Sequence, residues 1–162
     1  MAVAMMLAGM STIAASAKNV KLKSSRFKTS AAEAESVATP VSMGAMTVKL
    51  PNKASGFLKF TAPATKAYSF TVSKLKTNRF SCGYFYIMTT YGKQNQYIEM
   101  KKVATQGGEA SGLYVATKGD KRGSLVSRFL KSRTGTTVLE QGQTVYIYLN
   151  FTRKGTLRLK IS

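Results

Sequence analysis

Histidine and tryptophan are absent from this sequence, cysteine occurs once, and aspartate and glutamate together occur only six times in 162 residues. Without histidine, the chain lacks the usual general base and the most common metal ligand. The single cysteine, Cys82, forms neither an intramolecular disulfide nor a cysteine-based zinc site. Six scattered carboxylates are too few for a calcium cage or a paired-carboxylate glycosidase site. We therefore expect no metal and no cofactor.

Catalysis by serine would have to rely on lysine as the base. Serine and lysine lie close together in Ser24–Lys28 and in Ser127–Lys131. Neither segment has the helical setting of a Ser-x-x-Lys site, because the first lies in a polar stretch and the second in an apolar, strand-like one. The sequence therefore predicts a protein that is not an enzyme.

Positive charge is what the chain has in excess. Lysine and arginine number 25, which gives a net charge of +19, while apolar residues make up 44% of the chain as in a globular domain. A field of this size attracts polyanions, and such binding weakens steeply with salt. The charge balance thus indicates an anionic partner.

Residues 1–17 are uncharged and mostly apolar, and they end in Ala15-Ser16-Ala17 before Lys18. The apolar stretch is shorter than the roughly 20 residues that a membrane-spanning helix needs. A small-x-small ending is typical of a signal peptide, although no basic residue precedes the apolar run here. We expect cleavage near Ala17 and a secreted or envelope-associated protein. The alternative for 1–17 is a buried amphipathic helix.

Residues 18–42 combine a basic cluster with a run of small and polar residues. This composition predicts a flexible linker that precedes the folded domain. The basic cluster is either a solvated tail or an arm that touches a polyanion. Its members are Lys18, Lys21, Lys23, Arg26 and Lys28.

From residue 43 to 162 the chain alternates between apolar and polar residues, with turn signals at short intervals. The alternation is clearest in Val145–Phe151 and Leu157–Ile161, and Tyr84–Met88 is a continuous apolar run as in a central strand. A further strand is predicted at Leu125–Leu130. Short strands without intervening helices predict an all-β fold, an antiparallel β-sandwich or jelly roll of about eight to ten strands.

Five segments also resemble a known family. They are Gly56–Thr61, Ala67–Ser73, Gly83–Ile87, Leu139–Leu149 and Gly155–Ile161. Their pattern is similar to the strands and final hairpin of bacterial pre-peptidase C-terminal domains. The resemblance implies a β-sandwich module of the kind appended to secreted peptidases, which aids secretion or holds an enzyme on its substrate, and it supplies no catalytic residue. This chain differs in being far more basic, and we expect no catalytic domain beside the module.

The basic residues of the predicted strands and turns are the candidate polyanion-binding residues. Apolar residues flank Lys59, Arg158 and Lys160 along their predicted strands, so these three side chains should lie on an outer sheet face. The alternative is that these basic residues, each taken singly, only solvate a strand face or protect a sheet edge. The full candidate set is Lys59, Lys74, Lys76, Arg79, Lys121, Arg122, Arg128, Arg158 and Lys160.

Tyrosines form a second candidate site, because exposed aromatic rings can stack on sugars. Tyr91 and Tyr97, on or beside a turn, are the candidate glycan-stacking residues. Tyr146 and Tyr148 lie opposite Val145 and Ile147, on the other face of their strand. Because tyrosine is favoured in strands and cross-strand tyrosine pairs stabilise sheets, the sequence favours ordinary packing of these rings, and their display on an outer sheet face is the alternative.

For an exported chain the expected partners are anionic polysaccharide, teichoic acid or another envelope polyanion, together with a secreted enzyme or a surface protein. Three functions remain open. The first is an exported, non-catalytic module that attaches to an anionic envelope polymer or an acidic glycan. The second is a basic, nucleic-acid-binding β-barrel, which cytoplasmic retention would favour. The third is an accessory domain of a secreted enzyme.

Overall fold

The computed structural model describes residues 18–25, 31–89, 96–98, 100–102, 109–110, 112–117 and 130–162. These residues form two β-sheets that pack face to face, with one short helix, α1 (Ala31–Val37). The all-β sandwich predicted from the alternation of residues is therefore confirmed. The predicted signal peptide at 1–17 lies outside the described residues.

Among the described residues, thirteen strands make up the two sheets. They are β1 (Lys18–Lys21), β2 (Thr39–Val41), β3 (Gly44–Leu50), β4 (Ser55–Thr61), β5 (Lys66–Lys76), β6 (Cys82–Thr89), β7 (Gln96–Tyr97), β8 (Met100–Lys102), β9 (Glu109–Ala110), β10 (Gly112–Ala116), β11 (Ser132–Leu139), β12 (Thr144–Phe151) and β13 (Gly155–Ile161). The number exceeds the expected eight to ten because several strands are only two to four residues long.

The first sheet has the order β1-β3-β13-β5-β11-β8-β9, and the second has the order β10-β6-β12-β4-β2, with β7 paired to β6. The pairs β1–β3 and β2–β4 are parallel, while the other pairs of described strands are antiparallel. The sandwich is thus mixed at two of its edges rather than wholly antiparallel. As predicted, β6 is a central strand, since it lies between β10 and β12.

The main core fills the space between the sheets. In β13, Leu157, Leu159 and Ile161 are buried, while Arg158 and Lys160 between them are exposed. Because successive strand residues face opposite sides, this alternation assigns one face of each sheet to the core and the other to the surface. The predicted inward residues of β12 and β13 are all buried.

A second, smaller core lies on the outer face of the second sheet, beneath α1. Ala34 of the helix and Ala38 just after it are buried with Phe57, Tyr146 and Tyr148 of the sheet. Small helix residues allow α1 to approach the aromatic rings closely, because alanine adds no bulk beyond Cβ. This part of the outer face is therefore covered rather than open.

The amino-terminal segment differs from its prediction. Described residues of 18–42, expected to be a flexible linker, instead form β1 at the edge of the first sheet, then α1, then β2 at the edge of the second. Val20 and Leu22 are buried in the main core, and the segment passes so close to Gly56 that a Cβ there would lie 2.2 Å from the Lys23 carbonyl oxygen. Two buried apolar side chains among lysines were too sparse a pattern to indicate a strand.

Strand β11 was not predicted from the sequence. Its inward positions hold Arg133, Gly135 and Thr137 opposite apolar residues of β5, so its apolar alternation is weak. The predicted strand at 125–130 lies outside the described residues except for Leu130, which forms a parallel bridge with Val115.

Candidate functional site

The outer face of the first sheet is built almost entirely from hydroxyl and basic side chains. Hydroxyl pairs link β5 to β11, with Oγ–Oγ1 2.9 Å for Ser69 and Thr136 and Oγ1–Oγ1 2.8 Å for Thr71 and Thr134. These pairs satisfy polar groups across the strands and leave a surface of small side chains. Lysine and arginine from β3, β5 and β13 stand beside this surface.

A β-bulge shapes the face where β5 meets β13. Thr156 pairs with Lys76, but the next pair joins Arg158 to Ser73, so β5 carries one extra residue between them. Within the extra stretch, Lys74 adopts φ 51°, in the left-handed region that costs a side-chain-bearing residue about 1 to 2 kcal/mol. Bulges redirect side chains, and strained backbone of this kind gathers at functional sites.

Two adjoining depressions of about 550 Å³ and 240 Å³ lie at this bulge and share Lys76 and Thr156 in their walls. We call them together the basic groove. Its charged lining comes from β3, β5, β13 and the turn before β13, and consists of Lys49, Lys74, Lys76, Lys154 and Arg158. Its neutral polar lining consists of Thr47, Thr77, Asn78 and Thr156.

No carboxylate of a described residue lines the basic groove. Across the part of the chain that the structure describes, the one ion pair joins Lys59 to Glu35 on the other sheet. The five cations of the groove therefore repel one another, with no carboxylate of the described residues among them, and an anion placed there would relieve this repulsion. Lys74, Lys76 and Arg158 are each exposed, so they are accessible to a large ligand.

Lys59 does not belong to this surface, although it was predicted together with Arg158 and Lys160. It lies on β4 in the second sheet, where its Nζ donates to Glu35 Oε1 at 2.5 Å. Tyr146 donates its hydroxyl to the other oxygen of the same carboxylate. Strand alternation correctly placed all three basic residues on outer faces, but it carries no information about which sheet each strand joins.

The same three-residue cluster shifts two pKa values in opposite directions. The hydrogen bond from Lys59, and after it the one from Tyr146, lowers the pKa of the Glu35 carboxyl. Burial first, and the Glu35 carboxylate second, raises the pKa of the Tyr146 phenol. The cluster is therefore a charged pair with a neutral phenol, as in a structural anchor for α1.

The other predicted polyanion-binding residues are spread along the chain. Lys160 follows Arg158 on the same outer face of β13, and Arg79 lies in the turn between β5 and β6. Lys121, Arg122 and Arg128 lie outside the described residues. Of the nine candidates, the structure thus brings three into the basic groove.

Two residues of the groove, Lys49 and Lys154, were absent from the predicted set. Lys49 occupies an outward position of β3, and Lys154 precedes β13. The pairing of Thr156 with both Lys49 and Lys76 brings these strands together. The alternation of apolar and polar residues around Lys49 could have identified it as an outward residue. The sequence could not place Lys154 in the groove, because its position depends on the order of the strands.

Two of the tyrosines considered for a glycan site are covered by the fold. Tyr146 and Tyr148 are only 2% exposed, because α1 and Phe57 cover them. These two rings are therefore packed, as the favoured interpretation had it, and the alternative of an outward display is wrong for them. Tyr91 lies outside the described residues, and Tyr97 is in β7, where its backbone pairs with Met88.

Three other tyrosines form a half-buried cluster on the outer face of the second sheet. Tyr84 contacts Tyr86 and Tyr114, with ring centroids 4.9 Å and 5.8 Å apart and the rings inclined to each other. The Tyr84 hydroxyl accepts a hydrogen bond of 2.7 Å from Asn150. Rings packed against one another in this way stabilise the sheet and are not a flat platform for a sugar.

Among the described residues, no three histidine, cysteine, aspartate or glutamate side chains come close enough to hold a metal ion. Burial raises the pKa of the Cys82 thiol, which disfavours the reactive thiolate. The one helix in the described part of the chain is too short to cross a membrane.

Neither a protein-family model nor a curated protein matches this sequence. Among solved structures, the pre-peptidase C-terminal domain of a collagenase from Bacillus anthracis aligns with a TM-score of 0.45 and 14% identity, over 77% of this chain and 94% of that one. CorA, a surface-associated copper-binding protein from Methylomicrobium album BG8, aligns with a TM-score of 0.46 and 5% identity, over 77% of this chain and 98% of that one. The family that the strand patterns resemble thus appears among the solved structures, and both likenesses concern the fold alone.

Proposed function

We propose that this chain is an exported, non-catalytic β-sandwich module that binds an anionic polymer of a cell envelope, such as teichoic acid or an acidic polysaccharide. The basic groove is the binding site. Export rests on the sequence of residues 1–17, with the small-x-small ending before Lys18.

One observation carries the proposal: five cationic side chains from separate parts of the chain converge on a groove to which no described residue adds a carboxylate. Phosphate and carboxylate groups form strong charge-assisted hydrogen bonds with lysine and arginine. Thr47 and Thr156 supply hydroxyl donors for the uncharged oxygens of the same polymer. Release of counterions on binding then makes the affinity fall with salt.

A polymer suits this surface better than a single small anion. The two depressions adjoin, and Lys160 and the hydroxyl pairs continue the surface along the same sheet face. Each exposed cation contributes little by itself, because water screens it. A chain of repeating anionic groups gains from several such contacts at once.

The test is a salt-titrated pull-down on intact anionic cell wall, wall stripped of teichoic acid, an uncharged polysaccharide and duplex DNA. Retention on intact wall should fall with salt and with stripping. Lys76→Gln removes one charge from the groove, and Lys66→Gln removes one charge from the other end of the same strand. Lys76→Gln should weaken retention severalfold and reduce the slope of log affinity against log salt by about one, as for a lost phosphate contact.

Comparison with Lys66→Gln shows whether retention depends on the basic groove or only on the net charge of the protein. If Lys66→Gln weakens binding as much as Lys76→Gln, the groove is not the site. Salt-resistant binding to the uncharged polysaccharide would point to Tyr91 and Tyr97 as glycan-stacking residues. Equal capture by wall and DNA would show an unselective charge effect and would favour a protein partner.

A further inference from the structure

Three turns meet at one end of the sandwich. They are residues 51–54 between β3 and β4, residues 77–81 between β5 and β6, and residues 152–154 between β12 and β13. Backbone hydrogen bonds join them, from Phe151 to Ala54 at 2.8 Å and from Thr152 to Cys82 at 3.0 Å. We call these three turns the loop end.

Phe80 is displayed at the loop end with 53% of its surface exposed. The turn that carries it is held from both sides: Arg153 Nε donates to the Phe80 carbonyl at 3.1 Å, and Thr77 Oγ1 donates to the Arg79 carbonyl. The following residue, Ser81, is fully buried. The ring is thus held in water by a well-anchored turn, although burying a phenylalanine is worth about 1.5 to 3 kcal/mol.

The residues around Phe80 are basic. Neither the three turns nor the residue on either side of each contains aspartate or glutamate. Their cations are Lys53, Lys76, Arg79, Arg153 and Lys154. A basic residue near an anionic bilayer surface contributes about 1 kcal/mol of attraction.

We propose that the loop end is a membrane-contact site that takes an anionic phospholipid bilayer. Phe80 enters the boundary between headgroups and acyl chains, while Arg79 and Arg153 bind lipid phosphates. A soluble polyanion offers charge but no apolar phase for Phe80, whereas a bilayer offers both. This inference goes beyond the binding of a polymer in the basic groove, and it stands on a different residue.

The absence of tryptophan from the chain makes a direct probe possible. In Phe80→Trp the indole is the only tryptophan, and in Val138→Trp it replaces an exposed apolar residue of β11, 67% exposed, away from the loop end. Each full-length chain is mixed with phosphatidylcholine vesicles with or without phosphatidylglycerol. Because both variants carry the same amino terminus, any contribution of residues 1–17 is common to them.

Phe80→Trp should show a blue-shifted emission and protection from an aqueous quencher on anionic vesicles only. Val138→Trp should show neither change. No shift for Phe80→Trp, or an equal shift for Val138→Trp, would overturn the proposal.

Cosedimentation of Phe80→Ser with the same vesicles separates insertion from charge. We expect its partition coefficient to fall about tenfold, the effect of losing most of one buried aromatic side chain. Its retention on anionic cell wall should stay unchanged, which also shows that the variant is folded. Vesicle binding that survives Phe80→Ser contradicts insertion, and wall binding without vesicle binding would refute the membrane contact alone and leave the groove in place.

Discussion

Lys59 and Glu35 form an ion pair across 24 residues of sequence, with 2.5 Å between Nζ and Oε1. The pair fastens α1 to the outer face of the second sheet, and Tyr146 donates to the same carboxylate from β12. A lysine that looked available for a polyanion is thus committed to the fold. The basic groove lies on the other sheet, and in the part of the chain that the structure describes no carboxylate lines it.

The Glu35 anchor should make stability depend on pH. Its hydrogen bonds to Lys59 and Tyr146 lower the pKa of the carboxyl below its ordinary value of 4.5. A lowered pKa in the folded state stabilises the protein above the ordinary value, and this stabilisation is lost as the pH falls through the lowered one. We expect Glu35→Gln to lose about 1 kcal/mol or less near neutral pH, because the carboxylate is half exposed.

Urea unfolding of wild type and Glu35→Gln at neutral and acidic pH measures this contribution. The difference between the two proteins should shrink as the pH falls. The control is Glu140→Gln, which removes an exposed carboxylate that forms no ion pair with any described residue. A difference that stays constant with pH would show that the anchor does not depend on the charge of Glu35.

The amino-terminal segment should contribute strongly to stability. Leu22 is 1% exposed and packs in the main core, so Leu22→Ala should lower the free energy of unfolding by about 2 to 5 kcal/mol. Its neighbour Lys23 is exposed, and Lys23→Ala should change stability by about 0.5 kcal/mol or less. Chemical unfolding of both variants checks this, and equal small effects would restore the linker interpretation of 18–42.

We expect the left-handed conformation of Lys74 to lower the stability of the protein, while its side chain contributes to binding of the anionic polymer. Lys74→Gly relieves the strain at φ 51° and should raise the free energy of unfolding by up to about 1 kcal/mol, since glycine adopts this region freely but also loses more entropy on folding. The same change should weaken retention on anionic wall, because a groove cation is lost.

The matched control for both effects of Lys74→Gly is Lys66→Gly on the same strand. Glycine in regular strand geometry should lower stability by about 0.5 to 1 kcal/mol. Thermal unfolding together with the wall pull-down gives both quantities for each variant. If Lys74→Gly destabilises the protein, the backbone at this bulge is not strained.

Sequence patterns located the strands that alternate clearly and missed those that do not. The alternation in Leu157–Ile161 identified β13 and its inward face, which the structure confirms. Strand β11 was not predicted, because its inward positions hold Arg133, Gly135 and Thr137. Period-two reasoning works only where one face of a strand is consistently apolar.

The candidate site was only partly predictable for a related reason. Excess positive charge and the outward positions of Arg158 and Lys160 were readable from composition and spacing. The sequence did not show which of these cations lie on one surface. Lys49, Lys76 and Arg158 come from strands β3, β5 and β13, which are far apart in sequence.

The sequence by itself determined the all-β class, the inward and outward faces of the clear strands, the charge and the lack of histidine chemistry, because these depend on residue type and local spacing. Only the tertiary structure decided that β13 lies between β3 and β5, that a bulge at Lys74 shapes the groove between them, and that α1 covers Tyr146 and Tyr148. Strand order and the covering of a sheet face arise from burial summed over distant segments, and no local pattern encodes that sum.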